Sequence, residues 1–162
     1  MAGKPGVGVW EPLRVFLGSW VGTCTGKPGD GRVERTHRLI LRDKFLQMSG
    51  RSTFEPQERN PEGEVHEELG LWSFDRERGA HVYREFLVEG FVSRYVLEPP
   101  TPGSKRLVLS TEAIESLPAG WQARTTYEVL AEDHVVETFE LRRGSDDWAC
   151  YIRTELRRSA DA

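Results

Sequence analysis

The chain has 162 residues, 38% apolar and 30% charged, with five Trp, seven Phe and four Tyr; this is enough for one domain with its own core and excludes disorder. Its formal charge is -4, from 22 basic and 26 acidic side chains. The basic residues are scattered rather than striped, which argues against nucleic acid as a partner. No apolar run approaches the roughly 20 residues that cross a bilayer, so no membrane partner is expected. The stretch Met1 to Gly6 lacks the apolar run of a secretory signal and Ala2 is not an acylation glycine, so the cytoplasm is the expected compartment.

Residues 1–11 read as a flexible N-terminal segment, 12–158 as a single domain and 159–162 as a tail. The first element in chain order is a helix of one or two turns from Pro12 to Leu17, where proline suits the first helical position and Gly18 ends the run. From Ser19 onward, short runs rich in Val, Thr, Phe, Tyr and Trp alternate with Gly, Pro, Asn and Asp clusters. That pattern predicts strands near 19–25, 32–41, 44–54, 64–74, 80–88, 91–98, 105–114, 121–130, 134–142 and 148–158. The Pro-rich pieces 55–63 and 99–103 read as loops. The predicted fold is all-β: an up-and-down antiparallel ten-stranded barrel, closed so that no strand edge is left open and capped by the short helix. A sandwich is the rival architecture.

Turn chemistry sets register, and register sets which side chains share a face. A turn at Arg42-Asp43 places Leu39 opposite Leu46, His37 opposite Met48 and Arg35 opposite Gly50, so Arg35 and His37 face inward with Met48. A three-residue loop at Ala131-Glu132-Asp133 pairs Arg124 with Glu140 and stacks Tyr127 and Thr125 against Glu137 and Phe139; a two-residue loop would set Glu128 against Glu137. A turn at Glu89-Gly90 sets Glu85 against Arg94 and Arg84 against Tyr95. An opposed Glu and Arg suits the outer surface, which leaves Val82, Arg84, Phe86, Ser93, Tyr95 and Leu97 inside. The opposite face of that strand carries His81, Tyr83 and Leu87, with Trp72 and Phe74 beside them if residues 76–79 form a turn. If Trp20 pairs near Thr154, Cys24 falls opposite Cys150 on the closing seam, and both thiols are expected to be buried and inert. The expected interior therefore combines Trp20, Cys24, Arg35, His37, Met48, Arg84, Tyr95, Tyr127, Glu137, Phe139, Cys150 and Ile152. Charged groups held inside need mutual pairing, enclosed water or the polar part of a ligand.

The run Leu17-Gly18-Ser19-Trp20-Val21-Gly22, a Gly-x-Trp entering the first strand after a short helix, resembles the calycin signature of lipocalins, fatty-acid-binding proteins and nitrobindins. The resemblance implies that Trp20 closes the barrel base and that an arginine of the last strand, Arg153 or Arg157, lies over it. The stretches 34–54, 70–75 and 89–92, with Thr111 to Glu115 and Gly120 to Arg124, are similar to a family of uncharacterised bacterial proteins with a calycin-like barrel. The likeness runs over most of residues 12–158 and implies a fold rather than an activity. A haem role of the nitrobindin kind requires a histidine near the C-terminal strands. Tyr151, Ile152 and Arg153 stand in the last strand and no histidine follows His134, so only His37 is left as an inward ligand.

No cofactor and no metal is expected. His37, His66, His81 and His134 sit on different strands without ligand spacing, and Glu64, Glu67 and Glu68 read as a solvated cluster. No nucleophile elbow, activated cysteine or phosphate loop marks an enzyme. The enzymatic alternative is acid–base chemistry by Tyr127 and Glu137 in the cavity. The expected function is binding of a small, mainly hydrophobic or amphipathic molecule with a polar or anionic group. Arg35 and Arg84 would hold that group, Met48 and Phe139 would form walls, and His37, Tyr95, Tyr127 and Glu137 would set orientation. A homodimer is compatible with this reading.

Overall fold

The structure, a computed structural model, describes residues 8–160. A 3-10 helix at Glu11–Phe16 leads into ten strands: β1 (Gly18–Gly26), β2 (Gly29–Ile40), β3 (Phe45–Phe54), β4 (Glu64–Asp75), β5 (Ala80–Leu87), β6 (Val92–Leu97), β7 (Arg106–Glu115), β8 (Trp121–Ala131), β9 (His134–Arg143) and β10 (Ala149–Arg158). Each strand pairs antiparallel with its neighbour in sequence, and β1 pairs with β10 to close the barrel. Closure removes the open edges that a ten-stranded sheet would otherwise carry. Among the described residues no helix is long and apolar enough to cross a membrane.

One end of the barrel is sealed. Trp10, Leu13 and Phe16 of the helical segment are buried with Trp20, Leu46, Trp72, Leu109, Val135 and Leu156 from the strands. The Trp20 indole donates to Phe16 O at 2.8 Å, which fixes the helix across the base. Arg158 covers this end, with its guanidinium 4.5 Å from the Trp20 ring centroid and donating to the backbone oxygens of Val15 and Leu17. The covering arginine is thus Arg158, not the expected Arg153 or Arg157. Of the expected flexible segment, residues 1–7 lie outside the described residues, as do 161–162 of the tail. Trp10, at the inner end of that segment, is packed: it is 2% exposed and its indole donates to Asp43 O.

Two registers follow the turns as expected. Arg35 faces Gly50, His37 faces Met48 and Leu39 faces Leu46, while Tyr127 faces Glu137 and Thr125 faces Phe139. Arg124 and Glu140 form an ion pair at 2.8 Å. Two others differ. The β5–β6 loop holds one more residue than a Glu89-Gly90 turn: Leu87 N donates to Phe91 O, and Gly90 takes a positive φ of 91° that favours glycine. Arg84 therefore opposes Arg94, Tyr83 opposes Tyr95 and Glu85 opposes Ser93. A one-residue slip turns a whole strand over, so Tyr83, Glu85 and Leu87 line the inside while Arg84 and Phe86 are exposed. On the closing seam Trp20 opposes Arg158 and Cys24 opposes Thr154. Cys24 is buried, but Cys150 is exposed and does not meet it.

Candidate functional site

Above the sealed base the interior changes from hydrocarbon to charge. Arg35 of β2 reaches across the barrel to Glu137 of β9, with Nη1 to Oε2 at 2.6 Å and Nη2 to Oε1 at 2.9 Å. Its Nε donates to Glu68 of β4 at 3.0 Å, the two side chains being 9% exposed. A bidentate fork is the strongest geometry open to a guanidinium and a carboxylate. Burial disfavours the Arg35 charge, but the facing Glu137 and Glu68 outweigh it and hold the pKa above its ordinary value. Burial also works against the Glu137 charge. The Arg35 charge and hydrogen bonds from Arg35 and Tyr127 prevail and lower its pKa, so both partners stay ionised.

Beside this pair sits a second polar group with a different balance. Glu85 of β5 accepts from the Tyr95 hydroxyl at 3.2 Å. Burial first, then the nearby Glu68 and Glu137 charges, push its carboxyl up to about 8, so it is mostly protonated at neutral pH. Burial raises the pKa values of Tyr83, Tyr95 and Tyr127 as well, and all three remain neutral donors. Two glycines make room for this layer. A Cβ at Gly70 would lie 2.0 Å from the Tyr83 hydroxyl oxygen, and one at Gly50 would lie 2.4 Å from a Glu68 carboxylate oxygen.

The polar layer floors a cavity of ≈ 370 Å³ that opens at the other end of the barrel. Its apolar wall comes from Phe54, Leu87, Ile114, Phe139, Leu141 and Ile152, and its mouth carries Glu64, His66 and Glu89. His66 and Glu89 bridge β4 and the β5–β6 loop at 2.8 Å. Molecules of modest size occupy pockets of this volume and composition.

Among solved structures, the chain is similar to Rv2717c from M. tuberculosis, with a TM-score of 0.67 and 16% identity over 93% of this chain and 97% of that one. That likeness shows the fold alone. The chain also aligns with a de novo designed fluorescence-activating β-barrel, at a TM-score of 0.33 and 16% identity over 90% of this chain and 95% of that one. This second likeness is too distant to bear on fold or function. No protein-family model matches the chain, and no curated protein does.

Four of the eight expected site residues, Arg35, Tyr127, Glu137 and Phe139, line the cavity together. Tyr95 stands behind Glu85 and reaches the cavity through it. Met48 is buried in the base, and so is His37, whose ring stacks at 5.7 Å on Phe16. Burial and the Arg35 charge lower the His37 pKa to about 3, and its Nδ1 makes no hydrogen bond among the described residues. His37 is a neutral base-layer side chain with no face toward the cavity, which removes the geometry a haem ligand needs. Arg84 is a correction: it lies outside the barrel, where it donates to Ser73 Oγ at 3.2 Å.

The sequence reading missed Glu68, Tyr83 and Glu85. Glu68 reads in the sequence as part of a solvated cluster, yet it follows the inward alternation of Trp72 and Gly70 on the same strand. The Tyr127–Glu137 pair is held by Arg35 as an ionised carboxylate and a neutral phenol, an arrangement that makes Glu137 a weak base rather than a proton shuttle.

Proposed function

We propose that the barrel is a calycin-type container that binds a small, mainly apolar molecule in its open half. The bound molecule's polar group is directed at the Glu68, Tyr83 and Glu85 layer. The observation that carries this reading is the cavity itself. The base is filled with hydrocarbon, whereas the same inward positions higher in the barrel hold a fixed ion pair under an unfilled space of ≈ 370 Å³. Apolar walls provide affinity on the order of 25 cal/mol per Å² buried, and the few polar groups set orientation. An anionic head is not favoured, since Arg84 is outside and every nitrogen of Arg35 is already bonded to a carboxylate.

The test is to fill the space. Small apolar compounds are expected to raise the melting temperature of the wild type, and Leu141→Trp, which projects a larger side chain into the cavity, is expected to keep the fold and abolish that rise. Unchanged ligand stabilisation in Leu141→Trp would place binding elsewhere and overturn the reading.

A further inference from the structure

The charge inside the cavity is one-sided. Five carboxyl groups, those of Glu64, Glu68, Glu85, Glu89 and Glu137, line it against one guanidinium and one imidazole; Glu85 is mostly protonated at neutral pH, and a cation placed beside it favours its ionised form. The guanidinium charge is already matched, because Nε donates to Glu68 and Nη1 and Nη2 to Glu137, which leaves one N–H on each terminal nitrogen but no unpaired positive charge. The imidazole of His66 is held by Glu89 at the mouth.

The acceptors are not saturated in the same way. Glu85 Oε2 receives the Tyr95 hydroxyl, while its Oε1 has no hydrogen bond among the described residues. The Tyr83 hydroxyl, on a side chain only 4% exposed, lies over Gly70 in the cavity wall. Together Glu85 Oε1, Glu68 and the Tyr83 oxygen present acceptors beneath an apolar shaft formed by Phe54, Phe139 and Ile152.

We infer that the guest is an amphipathic organic cation, a primary or secondary ammonium on an apolar body, whose N–H groups bond to Glu85 and Glu68 while its hydrocarbon fills the shaft toward the mouth. This rests on the container reading above and adds the charge of the guest. Ammonium donors match the layer in sign and in hydrogen-bond sense, and an ammonium bonded to a carboxylate in a water-poor site gains more than a neutral donor there. A carboxylate guest would meet like charge from Glu68 and Glu137 with no free cation to offset it. A neutral alcohol would satisfy one acceptor and leave the field of the others unbalanced.

The experiment uses three probes of one shape, 4-phenylbutylamine, 4-phenylbutan-1-ol and 4-phenylbutanoate, titrated into the full chain at pH 7.5 by calorimetry. The expected result is that the amine binds about tenfold or more tighter than the alcohol, and the acid weakest. In Glu85→Gln, whose amide replaces a carboxyl without changing its shape, the amine-to-alcohol ratio is expected to fall several-fold while the unfolding transition stays cooperative. Equal binding of all three probes, or tightest binding of the acid, overturns the cation preference and leaves the container reading standing. An unchanged amine-to-alcohol ratio in Glu85→Gln overturns the role given to Glu85. No binding of any probe up to millimolar concentration overturns the container reading and this inference with it.

Discussion

The two halves of this barrel use the same strands and the same inward alternation, yet they are built on opposite principles. In the base, Trp10, Leu13, Trp20, Leu109, Val135 and Leu156 meet in one buried cluster; each side chain there is held by dispersion and by removal from water. In the open half, Arg35, Glu68 and Glu137 hold each other across the lumen, a directional contact that ties the walls at fixed points in place of a filled core. The base makes the fold and the upper layer keeps it hollow. A buried ion pair is an uncertain source of stability compared with hydrocarbon of equal volume, so its presence here points to a need for shape and charge inside the cavity.

The sharpest way to break that comparison is to remove one member from each half. Trp20→Ala leaves a void in the base, and Arg35→Ala leaves Glu137 and Glu68 charged and unpaired. Each is expected to cost about 3–5 kcal/mol in denaturant unfolding, for different reasons. The double substitution Arg35→Met with Glu137→Leu separates the causes. It removes the Glu137 charge, leaves Glu68 as the one carboxylate without Arg35, and is expected to recover part of the Arg35→Ala loss, whereas no partner substitution restores Trp20. Failure of the double variant to recover would show that the pair holds the fold rather than the cavity.

The pH dependence of stability should divide along the same line. His37, in the base layer, has its pKa lowered from 6.5 to about 3. The unfolded chain therefore binds the extra proton, and this group's contribution is lost as pH falls from 6.5 toward 3. Glu85, in the cavity wall, is raised from 4.5 to about 8. The folded chain binds the extra proton, so its contribution declines as pH rises from 4.5 toward 8 and is level above that. Glu85→Gln is expected to flatten the decline between about pH 6.5 and 8 by about 1.5 kcal/mol, and His37→Leu to flatten the acid side. Unfolding midpoints at stepped pH values, each variant taken against wild type, check both; a Glu85→Gln profile parallel to wild type over that interval would deny the raised carboxyl.

What the sequence made legible follows from what ties the strands. Where a short loop joins two strands, charge and hydrophobic alternation select the register. Arg35 opposite Gly50 and Tyr127 opposite Glu137 were both readable for that reason. The β5–β6 loop carries one residue more than its Glu89-Gly90 pair suggests, and that residue put Arg84 outside and Glu85 inside. The aromatic line held the correcting signal: Trp72 and Tyr83 oppose each other, and inward alternation from them leads to Glu68 on one strand and Glu85 on the other. No loop joins β1 to β10. Their register is set by the stagger of the whole closed sheet, which no local pattern states, and so the expected Cys24–Cys150 pairing gives way to Cys24 opposite Thr154, and the position of Arg158 is not legible in the sequence.

A smaller effect sharpens the same contrast within the apolar set. Phe139 lines the cavity on one side and is only partly buried, so Phe139→Ala enlarges an existing space instead of opening a new one. Its cost in denaturant unfolding is expected to be about 1–2 kcal/mol, below that of Trp20→Ala. Equal costs for the two would mean that the open half is packed as tightly as the base.

The least costly test touches no packing at all. Cys24 sits inside, where burial first of all pushes its thiol up to about 11 despite the Arg35 charge, whereas Cys150 is exposed at the start of β10. Thiolate is the reactive form, so a native sample treated with an aromatic disulfide reagent should release one equivalent of product promptly and the second only after denaturation. Cys150→Ser should remove the prompt equivalent and leave stability within about 0.5 kcal/mol of wild type. Prompt reaction of both thiols would mean that Cys24 is reached through the lumen, and that the buried layer around Arg35 opens to solvent more often than a fixed brace allows.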